Sequence, residues 1–263
     1  MLEISSRNNP LIKEIRGLNR RKNRWDNKLF VIEGIKIVKE AMLSEVNIKQ
    51  IIYSEKLLST PEGQELFQNI QSRDNIVKLT DNLFNEISDT DNPQGILAIV
   101  EFIERGFNDI SNIKNPALLF LDRVQDPGNM GTIIRTGDAF NIDGIIIGEG
   151  CVDIYNPKVA RSTMGSIFRV PIYVCEDSLD FLLNIKVQGI KVLATSLDGE
   201  LLYNENLQES FICIIGNESR GVDPKIISIA DGTIKIPMPG KAESLNAGVA
   251  ASIIMYESMR CRK

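Results

Sequence analysis

The sequence predicts an α/β protein of two domains, and three observations lead to this prediction. The chain has 263 residues, which is more than one typical domain and enough for two. Its second half contains apolar runs of strand length that alternate with longer segments suited to helices. A polar, turn-rich stretch over residues 104–116 precedes this half, and we expect an interdomain linker there.

The first domain is predicted over residues 1–103, where short helices and strands alternate. Asn9 and Pro10 precede apolar residues at helical spacing, which is typical of a short amphipathic helix. Thr60 is a suitable N-cap for another helix. The expected strands lie at 30–32, 48–53, 76–79 and 94–100, and the expected helices lie at about 10–18, 35–42, 61–71 and 80–87.

The second domain, predicted over residues 117–263, has the pattern of a parallel sheet covered by helices on both faces. Residues 145–147 and 212–215 are apolar at every position, as a strand buried on both sides requires. The expected strands lie at 117–124, 143–148, 168–174, 191–197, 211–216 and 233–238, with crossover helices between them. A final helix over 247–260 has a face of small residues, which permits close packing in the core or across a dimer.

The composition excludes several classes of function. The chain contains no histidine, so serine–histidine and cysteine–histidine catalysis are both excluded. Any general base is therefore a carboxylate, a lysine, a tyrosine, a cysteine or an unusually deprotonated arginine. The four cysteines show no Cys-x-x-Cys spacing, and we expect no metal site. We expect Cys175 and Cys213 to be buried thiols.

The same composition favours a cytoplasmic protein with no membrane partner. No apolar run approaches the roughly 20 residues that span a bilayer. The N-terminus lacks the apolar region of a signal peptide. Scattered single cysteines fit a reducing compartment.

Charge is distributed unevenly along the chain. The net charge is −5, yet residues 1–28 carry eight cationic against three anionic side chains, a net charge of +5. A basic leading segment can supply affinity for phosphate groups. A solvated helical face explains the same residues equally well.

Three polar clusters follow three predicted strands. The first covers residues 122–137, the second covers residues 216–221, and the third covers residues 236–246. Because the carboxyl ends of parallel strands meet at one edge of a sheet, we expect the clusters to form one composite site for a nucleotide-type ligand. Asn129 is expected near the N-cap of a helix.

Each cluster also has a simpler interpretation. Asn129 and Ser244 are explained equally by helix capping. Glu218 is also explained as a loop carboxylate, and Arg135 as a surface cation.

Together the three clusters resemble the SpoU/TrmH family of RNA 2′-O-ribose methyltransferases, in the SPOUT superfamily. The match lies in Asn-x-Gly-x-x-x-Arg ending at Arg135, Gly-Asn-Glu-x-x-Gly starting at Gly216, and Ile-Pro-Met followed by Ser-Leu-Asn ending at Asn246. It covers about residues 117–260. The first domain, with Phe-Val-Ile-Glu-Gly at 30–34, also resembles the family's smaller L30e-like substrate-binding domain.

The resemblance implies a C-terminal parallel-sheet SPOUT domain with a trefoil knot, which departs from the rule that chains are not knotted. It also implies S-adenosylmethionine as the methyl donor, an RNA substrate and a homodimer. Ribosomal RNA is favoured over transfer RNA by the additional leading domain. The donor-binding positions that it implies are Thr195, Ser196, Leu197, Gly216, Asn217, Ile236, Met238, Leu245 and Asn246. The catalytic positions that it implies are Asn129, Arg135, Glu218, Ser244 and Asn246.

The resemblance leaves two roles open for Arg135. The arginine either activates the ribose hydroxyl or, because a guanidinium normally stays protonated, binds phosphate and stabilises developing alkoxide charge. Asn129 and Glu218 are expected to orient the site.

Three alternatives compete with this reading. One is a non-catalytic RNA-binding or ribosome-assembly factor that kept the fold. Another is a Rossmann-like methyltransferase, for which residues 148–150 give a short glycine-rich signal. A nicotinamide-dependent oxidoreductase is disfavoured because no Gly-x-Gly-x-x-Gly follows a strand.

Overall fold

Two separate β-sheets form in the computed structural model, which describes residues 2–262. The chain divides into two compact units. The first unit comprises the chain up to Ile103 together with Asp153–Phe168, and the second comprises Glu104–Val152 and the chain from Arg169 onward. The first unit therefore includes Asp153–Phe168, a segment that was expected in the second domain. The bounds of the catalytic domain, 117–263, stay a prediction.

The first unit contains a mixed sheet. Its strands are β1 (Leu2–Ile4), β2 (Leu29–Glu33), β3 (Ile48–Tyr53), β4 (Ile76–Leu79) and β5 (Ile96–Glu101). Its first five helices are α1 (Pro10–Gly17), α2 (Arg21–Asn27), α3 (Ile35–Leu43), α4 (Pro61–Ile70) and α5 (Asp81–Ile87). The strand order is β1-β4-β3-β5-β2, with β5 antiparallel to β2 and β3 and the other neighbours parallel. Neither β1 nor α2 was predicted from the sequence.

Local capping explains where two of these helices begin. The Asn9 side chain accepts a hydrogen bond from the Leu11 amide at 2.9 Å, with Pro10 at the first helical position. The Thr60 hydroxyl accepts from the Gly63 amide at 3.2 Å, which confirms the predicted cap of α4.

Arg24 belongs to the core of the first unit, with an exposed fraction of 2%. Its Nε donates to Asp153 Oδ2 at 2.9 Å and its Nη1 donates to the Leu18 carbonyl at 2.7 Å. Trp25 Nε1 donates to Asp153 Oδ1 at 3.2 Å. Arg24 is one of the eight cations counted in residues 1–28, and burial and pairing make its guanidinium structural.

The second unit contains a parallel sheet, as predicted. Its strands are β6 (Ala117–Leu121), β7 (Gly144–Ile147), β8 (Ile172–Val174), β9 (Lys191–Leu201), β10 (Phe211–Ile215) and β11 (Gly232–Lys235). Its helices are α6 (Phe107–Ser111), α7 (Pro127–Ala139), α9 (Ser178–Val187), α10 (Pro224–Ile229) and α11 (Ala247–Arg262), while α8 (Pro157–Ser162) lies in the first unit. The strand order is β11-β9-β10-β6-β7-β8, and every neighbouring pair is parallel. Single 3-10 turns form at Glu55–Ser59, Ser166–Phe168 and Leu202–Asn204.

Several element boundaries differ from the sequence predictions. The strand predicted over 168–174 is confined to β8, because Phe168 ends a 3-10 turn and residues 169–171 form a turn and bend that end in a proline. The strand predicted over 233–238 ends at Lys235, and the prolines at 237 and 239 have no amide proton to continue a ladder. The predicted linker contains α6.

The central strands of the second unit are buried on both faces. Every residue of β6 and β10 is buried. On one face Phe120 and Ile214 pack in a cluster with Leu182 of α9 and Ile226 of α10. Helices α7 and α11 pack against each other, and α7 also packs against β7 and α11 against β10. Among residues 2–262, no helix has both the length and the apolarity that a bilayer crossing requires.

Candidate active site

The three polar clusters meet in the second unit, next to the carboxyl ends of the central strands. The loop after β6 and the loop after β10 are joined by a hydrogen bond from Asn217 Nδ2 to the Arg123 carbonyl at 2.9 Å. The segment after β11 joins them through Asn246, at the start of α11. This is the edge at which open parallel sheets bind ligands.

Asn129 lies at the centre of this junction. Its Nδ2 donates to Glu218 Oε1 at 2.7 Å, and its Oδ1 accepts from Asn246 Nδ2 at 2.7 Å. The side chain is buried, with an exposed fraction of 8%. One asparagine thus connects a residue of the second cluster with a residue of the third.

Asn129 lies near the N-cap of α7, as expected, but the alternative interpretation of its side chain as the cap is wrong. The N-cap of α7 is Asp126, whose Oδ1 accepts from the Asn129 amide at 2.7 Å, and Pro127 occupies the first helical position. Because Asp126 already caps the helix, the Asn129 side chain is available for the junction.

The hydrogen bonds fix the direction of both amides. Asn246 Oδ1 accepts from the Val249 amide at 3.2 Å, so its Nδ2 faces Asn129. Asn129 then accepts from Asn246 with its oxygen and donates with its nitrogen. The chain of donors ends on the Glu218 carboxylate, which is acceptor-only when ionised.

The loop after β10 is a closed turn. Asn217 and Gly221 exchange backbone hydrogen bonds at 3.1 and 2.9 Å. A Cβ on Gly216 would lie 2.2 Å from backbone atoms of Gly221 and Val222. Only glycine fits at position 216, and the turn therefore holds Glu218 in a defined place.

A pocket of about 580 Å³ opens beside this turn. Eight of the nine predicted donor-binding residues line it, and these are Thr195, Ser196, Leu197, Gly216, Asn217, Ile236, Met238 and Leu245. Asn246, the ninth, does not line it, although its neighbour Leu245 does. Of the predicted catalytic residues, Glu218 and Ser244 are part of the wall.

Arg135 lies apart from the hydrogen-bonded junction. It is exposed on α7, and it makes no hydrogen bond or ion pair with any residue from 2 to 262. Ser244 is likewise exposed. The structure thus joins Asn129, Glu218 and Asn246 by hydrogen bonds and leaves the side chains of Arg135 and Ser244 outside this set.

The cysteines do not supply a base. Burial raises the pKa of Cys151 to about 11, and it raises the pKa values of Cys175 and Cys213 to about 12. These thiols are therefore protonated near neutral pH. The expected burial is confirmed for Cys213 and is only partial for Cys175.

Sequence reasoning missed an ionic group at the start of the first cluster. Asp122 is 3% exposed and accepts from Arg123 Nε and Nη2, both at 3.0 Å, and from the Asp223 amide at 2.7 Å. Arg123 has a φ of 57° and also pairs with Asp223 at 3.1 Å. The sequence signal that could have indicated this group is a charged residue directly after a predicted buried strand. The group braces the loops after β6 and β10 against each other.

Comparison with known protein families decides the family. The model of the SpoU rRNA Methylase family matches residues 116–256, more than half of the chain. The chain belongs to the SpoU rRNA methylase family. A second model, the MRM3-like substrate binding domain, matches residues 9–98.

Two named relatives of this SpoU chain cover nearly its full length. The 23S rRNA (guanosine(2553)-2′-O)-methyltransferase RlmP of Bacillus subtilis is 35% identical over 257 residues, covering 97% of this chain and 98% of the relative. The 23S rRNA (uridine(2479)-2′-O)-methyltransferase of Streptomyces viridochromogenes is 26% identical, covering 96% and 94% respectively.

Solved SpoU structures agree with the fold. An AdoMet-bound rRNA methyltransferase from Sinorhizobium meliloti superposes with a TM-score of 0.85 at 31% identity, covering 98% of this chain and 97% of that one. AviRb from Streptomyces viridochromogenes in complex with AdoMet gives a TM-score of 0.82 at 26% identity, covering 97% and 99%. The predicted family, α/β fold class, enzyme class and methyl donor are therefore confirmed. Among residues 2–262, no cluster of candidate ligands for a metal ion is found.

Proposed function

We propose that this protein transfers a methyl group from S-adenosylmethionine to a ribose 2′-hydroxyl of 23S ribosomal RNA. The observation that carries the proposal is the hydrogen-bonded set Asn246–Asn129–Glu218, which joins all three sequence motifs beside the pocket. The two named relatives are 2′-O-methyltransferases of 23S rRNA. Because those two names give different nucleotides, family membership does not fix the modified position.

The pocket suits the proposed donor. Its volume of about 580 Å³ falls in the usual range for small-molecule and cofactor sites. Ile236, Met238 and Leu245 give it an apolar wall, while Thr195 and Gly216 lie on the wall formed by the central strands. These residues would hold the donor, which supplies an electrophilic methyl group when bound.

The residues of the junction position the reacting hydroxyl. Glu218 and Asn129 fix the side chain of Asn246, so that an incoming ribose meets a preorganised polar surface. Arg135 is the exposed cation of the first motif. Because a guanidinium stays protonated at neutral pH, we assign it to stabilising negative charge on the ribose oxygen and its neighbouring phosphate.

The exposed side of α7 and α11 supports a homodimer. Val249 and Tyr256 on α11 are 46% and 50% exposed, and both are large apolar or aromatic residues. α11 packs directly on α7, the helix that carries Arg135. A second copy covering these helices would bury the exposed apolar groups and bring Arg135 into a site formed by both protomers.

The first unit is assigned to RNA binding. Exposed cations lie on α1, directly before α2 and on α2, and these are Lys13, Arg16, Arg20, Arg21 and Lys22. The match to a substrate binding domain over residues 9–98 supports this role. Arg7 and Arg16 both pair with Glu86 and contribute less free charge.

Two further features belong to the same proposal. A trefoil knot in the second unit is supported by the strand order, in which β10 lies between β9 and β6, and by the return of α11 onto α7. Cytoplasmic location follows from the proposed rRNA substrate and from the single cysteines.

The test is methyl transfer from labelled S-adenosylmethionine to 23S rRNA purified from a strain that lacks this protein, followed by nucleoside analysis. A 2′-O-methylated nucleoside that is absent with the Arg135→Ala variant is the expected result. RNA binding without donor binding by calorimetry would instead favour a non-catalytic assembly factor. Donor binding with methylation of transfer RNA alone would overturn the ribosomal assignment.

A further inference from the structure

The turn that holds Glu218 also carries an arginine, Arg220, that the three motifs do not include. Asn217 Oδ1 accepts from the Ser219 amide at 3.0 Å and from the Arg220 amide at 3.2 Å. Gly221 closes the turn with a φ of 67°. The backbone at Arg220 is therefore fixed by the same contacts that place Glu218.

The guanidinium of Arg220 has no partner in the part of the chain that the structure describes. The residue is exposed and forms part of the pocket wall. Within residues 2–262 its side chain makes no hydrogen bond, ion pair or ring contact. Arg123, in the neighbouring loop, differs because it pairs with both Asp122 and Asp223.

The charge around the pocket gives Arg220 a role. The wall includes three carboxylates, those of Asp198, Glu218 and Glu243, against two cations, Arg220 and Lys235, and the whole chain has a net charge of −5. A polyanionic substrate is repelled by such a surface unless cations lie where it binds. Arginine presents a planar fork of donors that matches phosphate oxygens in pairs.

We propose that Arg220 binds a phosphate of the RNA substrate close to the ribose that is methylated. This inference rests on the proposed function and adds a positioning residue to it. Because the turn is rigid, a phosphate held by Arg220 has a fixed distance from Glu218 and the junction. The contact thus orients the nucleotide in addition to attracting RNA.

The test compares full-length Arg220→Ala and Arg220→Lys with Lys225→Ala as the matched control. Lys225 is an exposed cation on α10, close in sequence but outside the pocket wall. The measurements are filter binding of 23S rRNA from a strain lacking this protein over a salt series, KM and kcat for that RNA, and calorimetry of S-adenosylmethionine. Circular dichroism checks that each variant is folded.

We expect Arg220→Ala to raise KM for RNA about tenfold and to reduce the slope of log K against log salt by about one. Arg220→Lys should recover part of the affinity and less of kcat, because ammonium lacks the planar fork. The affinity of both Arg220 variants for S-adenosylmethionine should equal that of the unaltered protein. The Lys225→Ala variant should match the unaltered protein in every measurement.

Two results would overturn the inference. Unchanged RNA binding and KM in Arg220→Ala would remove the phosphate contact, and a selective loss of donor affinity would assign Arg220 to the donor instead. If the unaltered protein binds the donor but no RNA, the proposed function fails together with this inference. Methylation that is normal in the unaltered protein and in Arg220→Ala defeats only the inference.

Discussion

The hydrogen-bonded residues at the junction of the candidate site differ from two exposed arginines of the same unit, Arg135 and Arg220. Asn129 is buried and its amide is satisfied by Glu218 and Asn246. Arg135 and Arg220 are exposed and have no partner among residues 2–262. Contacts within the fold position the groups at the junction, whereas the proposed partners of Arg135 and Arg220 are groups of the RNA substrate.

The first unit shows the same contrast between a buried, paired cation and exposed cations. Arg24 of α2 is buried and paired with Asp153. Arg20, directly before α2, and Lys22, in its first turn, are exposed. Replacing a paired, buried group should therefore reduce stability. Replacing an exposed, unpaired group should reduce function while stability is preserved.

The largest expected effect is that of Arg135→Ala on catalysis. Loss of the guanidinium should lower kcat about a thousandfold, equivalent to about 4 kcal/mol of barrier, because charge on the ribose oxygen is no longer stabilised. The melting temperature should stay unchanged, since Arg135 is exposed. Labelled methyl transfer and thermal denaturation give the two values. Near-normal turnover by the folded variant contradicts the role.

Arg24→Ala should give the largest loss of stability. Its removal leaves the Asp153 carboxylate buried without its cation, which lowers the free energy of unfolding by about 3–5 kcal/mol. Urea denaturation of the full chain measures the change. The matched control is Lys22→Ala in the same helix, for which we expect a change of less than about 0.5 kcal/mol. Equal effects of the two variants would remove the distinction between paired and exposed cations.

Asn129→Ala should affect both stability and activity. The variant leaves Glu218 and the Asn246 amide without their shared partner. Because both residues are exposed and can bind water instead, we expect a loss of about 1 kcal/mol in the free energy of unfolding. Turnover should fall as well, because the side chain of Asn246 is no longer held. Glu218→Gln is the control, since a glutamine oxygen still accepts from Asn129 Nδ2. Loss of turnover with unchanged stability would show that the junction does not support the fold.

The smallest expected effect is that of the double variant Arg20→Ala/Lys22→Ala. It should weaken RNA binding by a similar factor across RNA sequences and reduce the salt slope by about two, since two phosphate contacts are removed. Donor affinity and the melting temperature should not change. Filter binding at several salt concentrations and calorimetry check these expectations. An unchanged salt slope would exclude Arg20 and Lys22 from the RNA-binding surface.

Much of the fold follows from local patterns in the sequence. The apolar runs over 145–147 and 212–215 predicted buried parallel strands, and β7 and β10 are buried throughout. Thr60 predicted the start of α4 because a cap depends on neighbouring residues. The strand over 168–174 was predicted too long because apolar composition does not distinguish a 3-10 turn from an extended strand.

The sequence by itself determined the family, the parallel sheet of the second unit and the residues of the three motifs. Only the tertiary structure decided which polar groups are paired. Asn129 is separated from Glu218 by 89 residues and from Asn246 by 117, and Arg24 is separated from Asp153 by 129. Local propensity and periodicity act over a few residues, whereas these pairs depend on how distant elements pack. The same packing decided that Arg24 is structural and that Arg135 and Arg220 lie exposed.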